Sequence, residues 1–405
     1  MSVAADVPDI LSPEFEENPY ATYRAMHERV PMLWHERMEK FVISRYEDVA
    51  RACKDPAFTT DNYAWQLAPA HGGRILPQMN GREHSIRRAL VAPAFRGNDL
   101  KHKFLPVIER TSRNLIDAFR HTGRAELVGD VTHQLPIKII VDILGLDPSN
   151  YQRFQRWYLS LTDFLGNLSQ DPAVTAQGLA TAEEFAAYMI PVVRERRENP
   201  GDDLLSTLCA AEVEGTQMSD QDIKSFVSLL LGAGGETTDK ALAGLFKNLL
   251  EHPDQLEAVR ADRTLVEKAL VETLRYSPPV HMLMRVAAED IELSAGVVPA
   301  GSTVILLLAA ANRDPARFAD PDRFDIFRDD LPTETAFSAA AQHLAFSLGR
   351  HFCVGAMLAK AELETAANQL LDAMPGVHLE PGFTPVEKGV FTRGPVALPV
   401  RFQVG

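Results

Sequence analysis

Cysteine is scarce. Three residues in 405, Cys53, Cys209 and Cys353, stand far apart, and no CxxC or CxxxC pair exists. That pattern excludes a disulfide framework and a cysteine-built zinc site, and it fits a reducing compartment. Long apolar runs are absent as well. The most apolar stretches, residues 229–233 and 304–311, fall short of what crosses a bilayer. Residues 1–6 carry neither a basic run nor an apolar segment, so no signal peptide is expected. Positive charge is in deficit: 41 Lys and Arg against 55 Asp and Glu leave a net charge of −14. General affinity for nucleic acid is therefore not expected. No G-x-G-x-x-G fingerprint, internal repeat or low-complexity linker occurs. These absences together describe a soluble, cytoplasmic chain with no membrane span.

Hydrophobic residues make up 46% of the chain and charged residues 24%, ordinary globular proportions. Gly and Pro are spread throughout, so residues 1–405 read as a single domain large enough for a deep interior pocket. The middle is helical in pattern. One helix closes at 142–146 and another opens at Asp147-Pro148. Residues 181–198 place Phe185, Met189 and Val192 at helical spacing before Asn199-Pro200-Gly201 ends the run. Ser219-x-x-Asp222 is a helix start signal, and helical character then continues to His252-Pro253. About 30 residues at 1.5 Å each make a helix of roughly 45 Å, long enough to cross the domain. Phe226, Val227, Leu229, Leu230 and Leu231 make much of its circumference apolar, so it is expected to be buried. Strand-like segments are few: 41–44, 301–308 and 396–402. The fold class is mainly α with small β-sheets.

The most informative segment is Phe346-Ser-Leu-Gly349-Arg-His351-Phe-Cys353-Val-Gly355. Two glycines flank the cysteine and permit a tight loop that aims amide N–H groups at the sulfur. The amphipathic helix that follows favours thiolate at its N-terminus, and thiolate is the form that binds metal. Phe346 would shield one side from water. The plain alternative is a buried structural cysteine in a turn.

A second signal interrupts the long helix at Ala233-Gly234-Gly235-Glu236-Thr237-Thr238. Adjacent glycines cost about 1 kcal/mol each relative to alanine. That cost implies an opened backbone or a close approach. The Thr237 hydroxyl could bond a freed carbonyl and widen a groove, and Glu236 could pass protons through water. A helix-packing glycine pair beside a solvated Glu explains the same residues. Two further helical pairs carry charge: Glu272 with Arg275 at i, i+3, and His84 with Arg88 at i, i+4.

In this order the motifs resemble those of the cytochrome P-450 family of heme-thiolate monooxygenases, over most of the chain. The resemblance implies heme b as cofactor, the cytochrome P-450 fold, and Cys353 as the iron ligand. A thiolate ligand pushes electron density onto iron and favours O–O cleavage. His84, Arg88, Arg285 and His351 become donors to the heme propionates, with His351 where the family often has Arg. Ala233, Phe346 and Gly355 border the heme. Thr237 holds the oxygen species and Glu236 relays protons, with Gly235 at the variable position of A-G-x-[DE]-T-T. Glu272 and Arg275 match the E-x-x-R structural motif, which ties to the chain ahead of the cysteine loop.

Family analogy places substrate contacts at Trp65, Leu76, Leu229, Ala233, His281, Met282, Leu283, Val390 and Phe391. Nearly all are apolar, which points to a hydrophobic small molecule such as a secondary metabolite, and each could equally be core. His281 is the polar candidate that would orient a ligand. Electrons would come from a ferredoxin and an NAD(P)H-dependent reductase. Arg96, Lys101, Lys103, Arg350 and Lys360 form a possible basic docking face, or are simply solvated charges. Oxygen insertion, oxidative C–C or C–N coupling on the same heme, and a non-catalytic heme sensor all use this frame; a sensor needs no Glu236–Thr237 relay.

Overall fold

The computed structural model describes residues 9–61, 64–167 and 170–404. The chain is mainly α with small sheets, and it divides into two compact units. The first unit comprises Met1–Asn62, Ala243–Cys353 and Gly382–Leu398. Its centre is a five-stranded sheet in the order Met32–His35, Lys40–Ile43, Thr303–Leu307, Met282–Ala287, Phe58–Thr59. Thr303–Leu307 runs parallel to Lys40–Ile43, with Ile305 opposite Val42, and antiparallel to Met282–Ala287, with Val304 opposite Arg285. The β-branched and aliphatic run Val304-Ile305-Leu306-Leu307 is buried throughout, as a central strand covered on both faces requires. Leu344 and Leu348, just ahead of the cysteine loop, pack into the same core as Ile43, Val49 and Leu306.

The second unit comprises Tyr63–Leu242, Val354–Pro381 and Pro399–Gly405. It is built of packed helices. Pro172–Glu198 lies against Tyr151–Leu165 and Asp220–Leu229, and Ala356–Ala373 lies against Leu105–Asp117. A short three-stranded sheet joins His378–Leu379, Pro399–Arg401 and Arg124–Glu126.

The expected start of the long helix is present in full. Ser219 Oγ accepts from Asp222 N–H at 3.1 Å, and Ser219 N–H donates to Asp222 Oδ2 at 2.9 Å. The helix is not uniform, however. Asp220–Leu229 passes into a π turn, Leu230–Gly234, and resumes as Gly235–Glu251. Elsewhere the boundaries moved. The helix expected over 181–198 begins earlier, at Pro172, because Asp171 caps it through Ala173 N–H. The strand expected over 396–402 is shorter, Pro399–Arg401, with Pro399 as its first residue; a separate two-residue strand, Gly394–Pro395, precedes the expected span. Among the described residues, no helix is long and apolar enough to cross a membrane.

Candidate heme and oxygen-activation site

The cysteine loop is a tight turn held by its own backbone. Cys353 N–H donates to Phe346 C=O at 2.9 Å, and Phe352 N–H to Gly349 C=O at 3.1 Å. Gly349 has φ +68°, and a Cβ there would sit 2.9 Å from Cys53 O and 3.0 Å from Lys54 Cα. Glycine is therefore required twice over, by the left-handed backbone and by the approach to the helix Tyr46–Lys54. Phe346 joins an aromatic group with Phe337, His343 and Phe352, at ring separations of 5.6, 6.0 and 6.2 Å. Cys353 itself is exposed, unlike the buried Cys53 and Cys209. Sequence reasoning missed His343, whose ring is fully buried and whose pKa burial pushes down to about 4.

Arg285 projects from the strand Met282–Ala287 and is only 3% exposed. Its Nη1 donates to the neighbouring Met284 C=O at 2.7 Å, and among the described residues no carboxylate pairs with it. A buried guanidinium without a counter-charge invites an anion. In the second unit, His84 is 3% exposed and Arg88 half-buried, one turn apart on the helix Gly81–Val91. No group of three His, Cys, Asp or Glu that could hold a metal by itself occurs among the described residues. Within the first unit, an accessible thiol and the buried Arg285 guanidinium are the donor types that suit an iron carried in its own chelating ring with acidic side chains.

The π turn is where the long helix opens. Ala233 is exposed there, while Leu231, Gly232, Gly235 and Thr238 around it are buried. Thr237 Oγ1–H donates to Ala233 C=O at 2.7 Å, one turn back on its own helix. Glu236 Oε1 accepts from Lys240 Nζ at 2.7 Å, one turn on. Gly235 has a packing reason that the sequence did not reveal. A Cβ there would lie 2.7 Å from Ile137 Cδ1 and 3.0 Å from Tyr158 Cε2.

The Glu272–Arg275 pair is saturated. Arg275 Nε and Nη2 each donate to Glu272 at 2.8 Å, and its remaining N–H groups reach the carbonyls of Asn312, Pro321 and Arg323. Glu272 also accepts from Asp325 N–H at 2.9 Å, and Arg328 Nε lies 2.9 Å from it at an angle too bent for a hydrogen bond. The guanidinium thus binds the backbone ahead of the cysteine loop.

Substrate candidates scatter. Trp65 lies in the helix Ala64–His71, with its side chain outside what the structure describes. Leu76 lines a small cavity with Met79, Arg87, Asp222 and Phe226. Leu229, Leu283, Val390 and Phe391 are partly accessible, and Met282 is buried. His281 turns inward, against the expectation that it orients a ligand. It is 1% exposed, its Nδ1 bonds Tyr23 OH at 2.9 Å, and burial lowers its pKa to about 3. A ring fixed and neutralised in this way belongs to the core. Of the candidate docking charges, Lys103 already pairs with Asp99 and Asp202, and Lys360 with Glu364, while Arg96, Lys101 and Arg350 are exposed.

The Cytochrome P450 family profile matches residues 11–374. Pulcherriminic acid synthase of Bacillus subtilis is 40% identical over 404 residues, covering 100% of both chains. Cytochrome P450 monooxygenase PikC of Streptomyces venezuelae is 33% identical, over 98% of this chain and 94% of that one. The structure of cytochrome P450 CYP109Q5 from Chondromyces apiculatus superposes with a TM-score of 0.86 at 33% identity, covering 98% of each. The chain belongs to the cytochrome P450 family. It is a heme b monooxygenase, an oxidoreductase that takes electrons from a redox partner and acts on a small molecule.

Proposed function

We propose that Cys353 ligates the heme iron, and that His84, Arg88, Arg285 and His351 bind its propionates, with residues 1–405 acting as one catalytic domain. Bound there, heme supplies activation of O2 through a thiolate-supported O–O cleavage. The observation that carries the assignment is the accessible thiol in a backbone-locked loop, together with a buried Arg285 that no carboxylate pairs among the described residues.

In this reading the chain's own groups handle protons and orientation. Thr237 Oγ1 leaves Ala233 C=O to present its O–H where oxygen binds. Glu236 restores that proton, and Lys240 holds its carboxylate in place. Ala233, Phe346 and Gly355 border the ring. Leu229, Ala233, Leu283, Val390 and Phe391 supply accessible apolar surface for the substrate, which we take to be a hydrophobic secondary metabolite. The likeness to pulcherriminic acid synthase makes that relative's substrate the first compound to test, for hydroxylation or epoxidation. Electrons come from a ferredoxin reduced by an NAD(P)H-dependent reductase, in the cytoplasm, by way of Arg96, Lys101 and Arg350.

The experiment is direct. Heme-loaded protein is reduced under CO, then turned over with labelled O2 and a surrogate ferredoxin system. We expect the thiolate-type ferrous-carbonyl band, its loss in Cys353→Ala, and label in the product. A carbonyl band that survives in Cys353→Ala refutes the ligand. Product free of label refutes oxygen insertion and leaves oxidative coupling.

A further inference from the structure

Glu236 does not stand alone on its helix. Asp239, one turn on, is 7% exposed and accepts from two groups at the end of the π turn Val128–Thr132. Thr132 Oγ1–H donates to its Oδ1 at 2.6 Å, and His133 Nδ1 lies 3.1 Å from its Oδ2. The His133 side chain is 30% accessible, against 9% for Asp239 and 13% for Glu236. Accessibility therefore falls from the imidazole towards the two carboxylates. With Nδ1–H donated to Asp239, Nε2 is the ring nitrogen left to exchange protons with water.

Among the described residues, three groups act on His133. Asp239 and Lys240 come from the helix Gly235–Glu251. Tyr158 comes from Tyr151–Leu165, with its ring 5.8 Å from the imidazole. The hydrogen bond to Asp239 raises the His133 pKa; burial and the Lys240 charge oppose it. Tyr158 feels both Asp239 and Glu236, after burial, as charges that raise its own pKa. The same ring closes over Gly235. Lys240 thus touches Glu236 directly and acts on His133 through its charge. A single Asp–His pair on a helix would usually be packing. Here it shares a lysine and a tyrosine with the carboxylate next to Thr237.

We propose that His133 and Asp239 form a proton-loading pair for Glu236, positioning residues that take up a proton from water at His133 Nε2 and keep the Lys240 ammonium on the Glu236 carboxylate. The proposal rests on the relay reading of Glu236. The bookkeeping is one proton. It leaves water for His133 Nε2 and makes an imidazolium, whose charge faces the Asp239 carboxylate through Nδ1–H. The imidazolium then gives that proton up through water to Glu236, which hands it to Thr237 as Thr237 releases its own, so His133 ends neutral and Glu236 ends as the anion held by Lys240.

The test couples two sites in the protein without turnover. The His133 titration is followed by NMR in the wild type, Asp239→Asn and Glu236→Gln. We expect its midpoint to fall by about one pH unit in Asp239→Asn and by about 0.3 unit in Glu236→Gln, the size of a Coulomb coupling across one helix turn in a water-like medium. In the loaded enzyme, His133→Gln should flatten the pH dependence of product formed per NADPH and raise the solvent deuterium isotope effect severalfold. If the His133 midpoint is the same with and without the Glu236 charge, the proposal is overturned, whether or not His133→Gln folds. If Glu236→Gln leaves product per NADPH unchanged, the relay reading itself fails. If Glu236→Gln uncouples turnover while His133→Gln keeps both the pH profile and the isotope effect, only the loading pair is lost.

Discussion

Two regions of this chain use the same device, a carboxylate and a cation one turn apart on a helix, to opposite ends. Glu272 and Arg275 are 1% and 0% exposed, and the guanidinium is spent on one carboxylate and three backbone carbonyls. Glu236 and Lys240 sit beside an open π turn at 13% and 20% exposure. Burying a charge pair is costly, and full hydrogen bonding is what repays it. Once repaid, the pair cannot change partners or protonation state without loss of the fold. The difference teaches that hydrogen-bond saturation makes one pair a structural tie, whereas the other keeps partial access to solvent beside the His133–Asp239 pair.

The largest effect should come from breaking the saturated pair. Glu272→Ala leaves Arg275 and Arg328 buried around a missing anion, and should destabilise the protein by about 3–5 kcal/mol. Denaturant melts would show it, or the variant would fail to accumulate as folded protein. A fall below 1 kcal/mol would erase the contrast. Next comes Glu236→Gln, which should leave the melting temperature within error of the wild type yet cut product formation about 10²-fold. A parallel loss of stability would make that region structural too.

Gly235→Ala tests the packing between them in scale. The new methyl would meet Ile137 Cδ1 at 2.7 Å and Tyr158 Cε2 at 3.0 Å. Overpacking costs about 1–3 kcal/mol, offset by about 1 kcal/mol of helix propensity. Thermal melts should show a small net loss, and a net gain would mean that Tyr158 yields freely. The smallest effect is pH-linked. The His133 pKa is raised from 6.5 by Asp239, so its stabilisation is complete below pH 6.5 and lost as pH rises through the raised folded value. The stability difference between wild type and His133→Gln should therefore shrink with rising pH above 6.5. The Glu272→Ala deficit should not change over the same range. Equal pH slopes for the two would break the comparison.

Much of the site was legible because its chemistry is local. The Cys353 turn, the Glu236-Thr237 dipeptide, the Ser219 capping box and the Glu272–Arg275 spacing each lie within a few residues, so each shows as a short motif that can be matched to a family. The Thr237 bond to Ala233 was also foreseeable, as an i−4 contact on one helix. What stayed hidden spans distance in sequence. Asp239 meets His133 across 106 residues, and His281 meets Tyr23 across 258. Nothing in the local pattern of His281 says which way its ring turns.

The residues alone carried the helical class and, through motif resemblance, the family, because backbone periodicity and short motifs are properties of the string itself. Which charges are locked and which remain able to titrate was decided only in three dimensions. Burial, counter-charge and hydrogen-bond saturation at Arg275, Arg285 and Asp239 depend on partners that only folding brings within reach, and those partners set the energy of each ionised state.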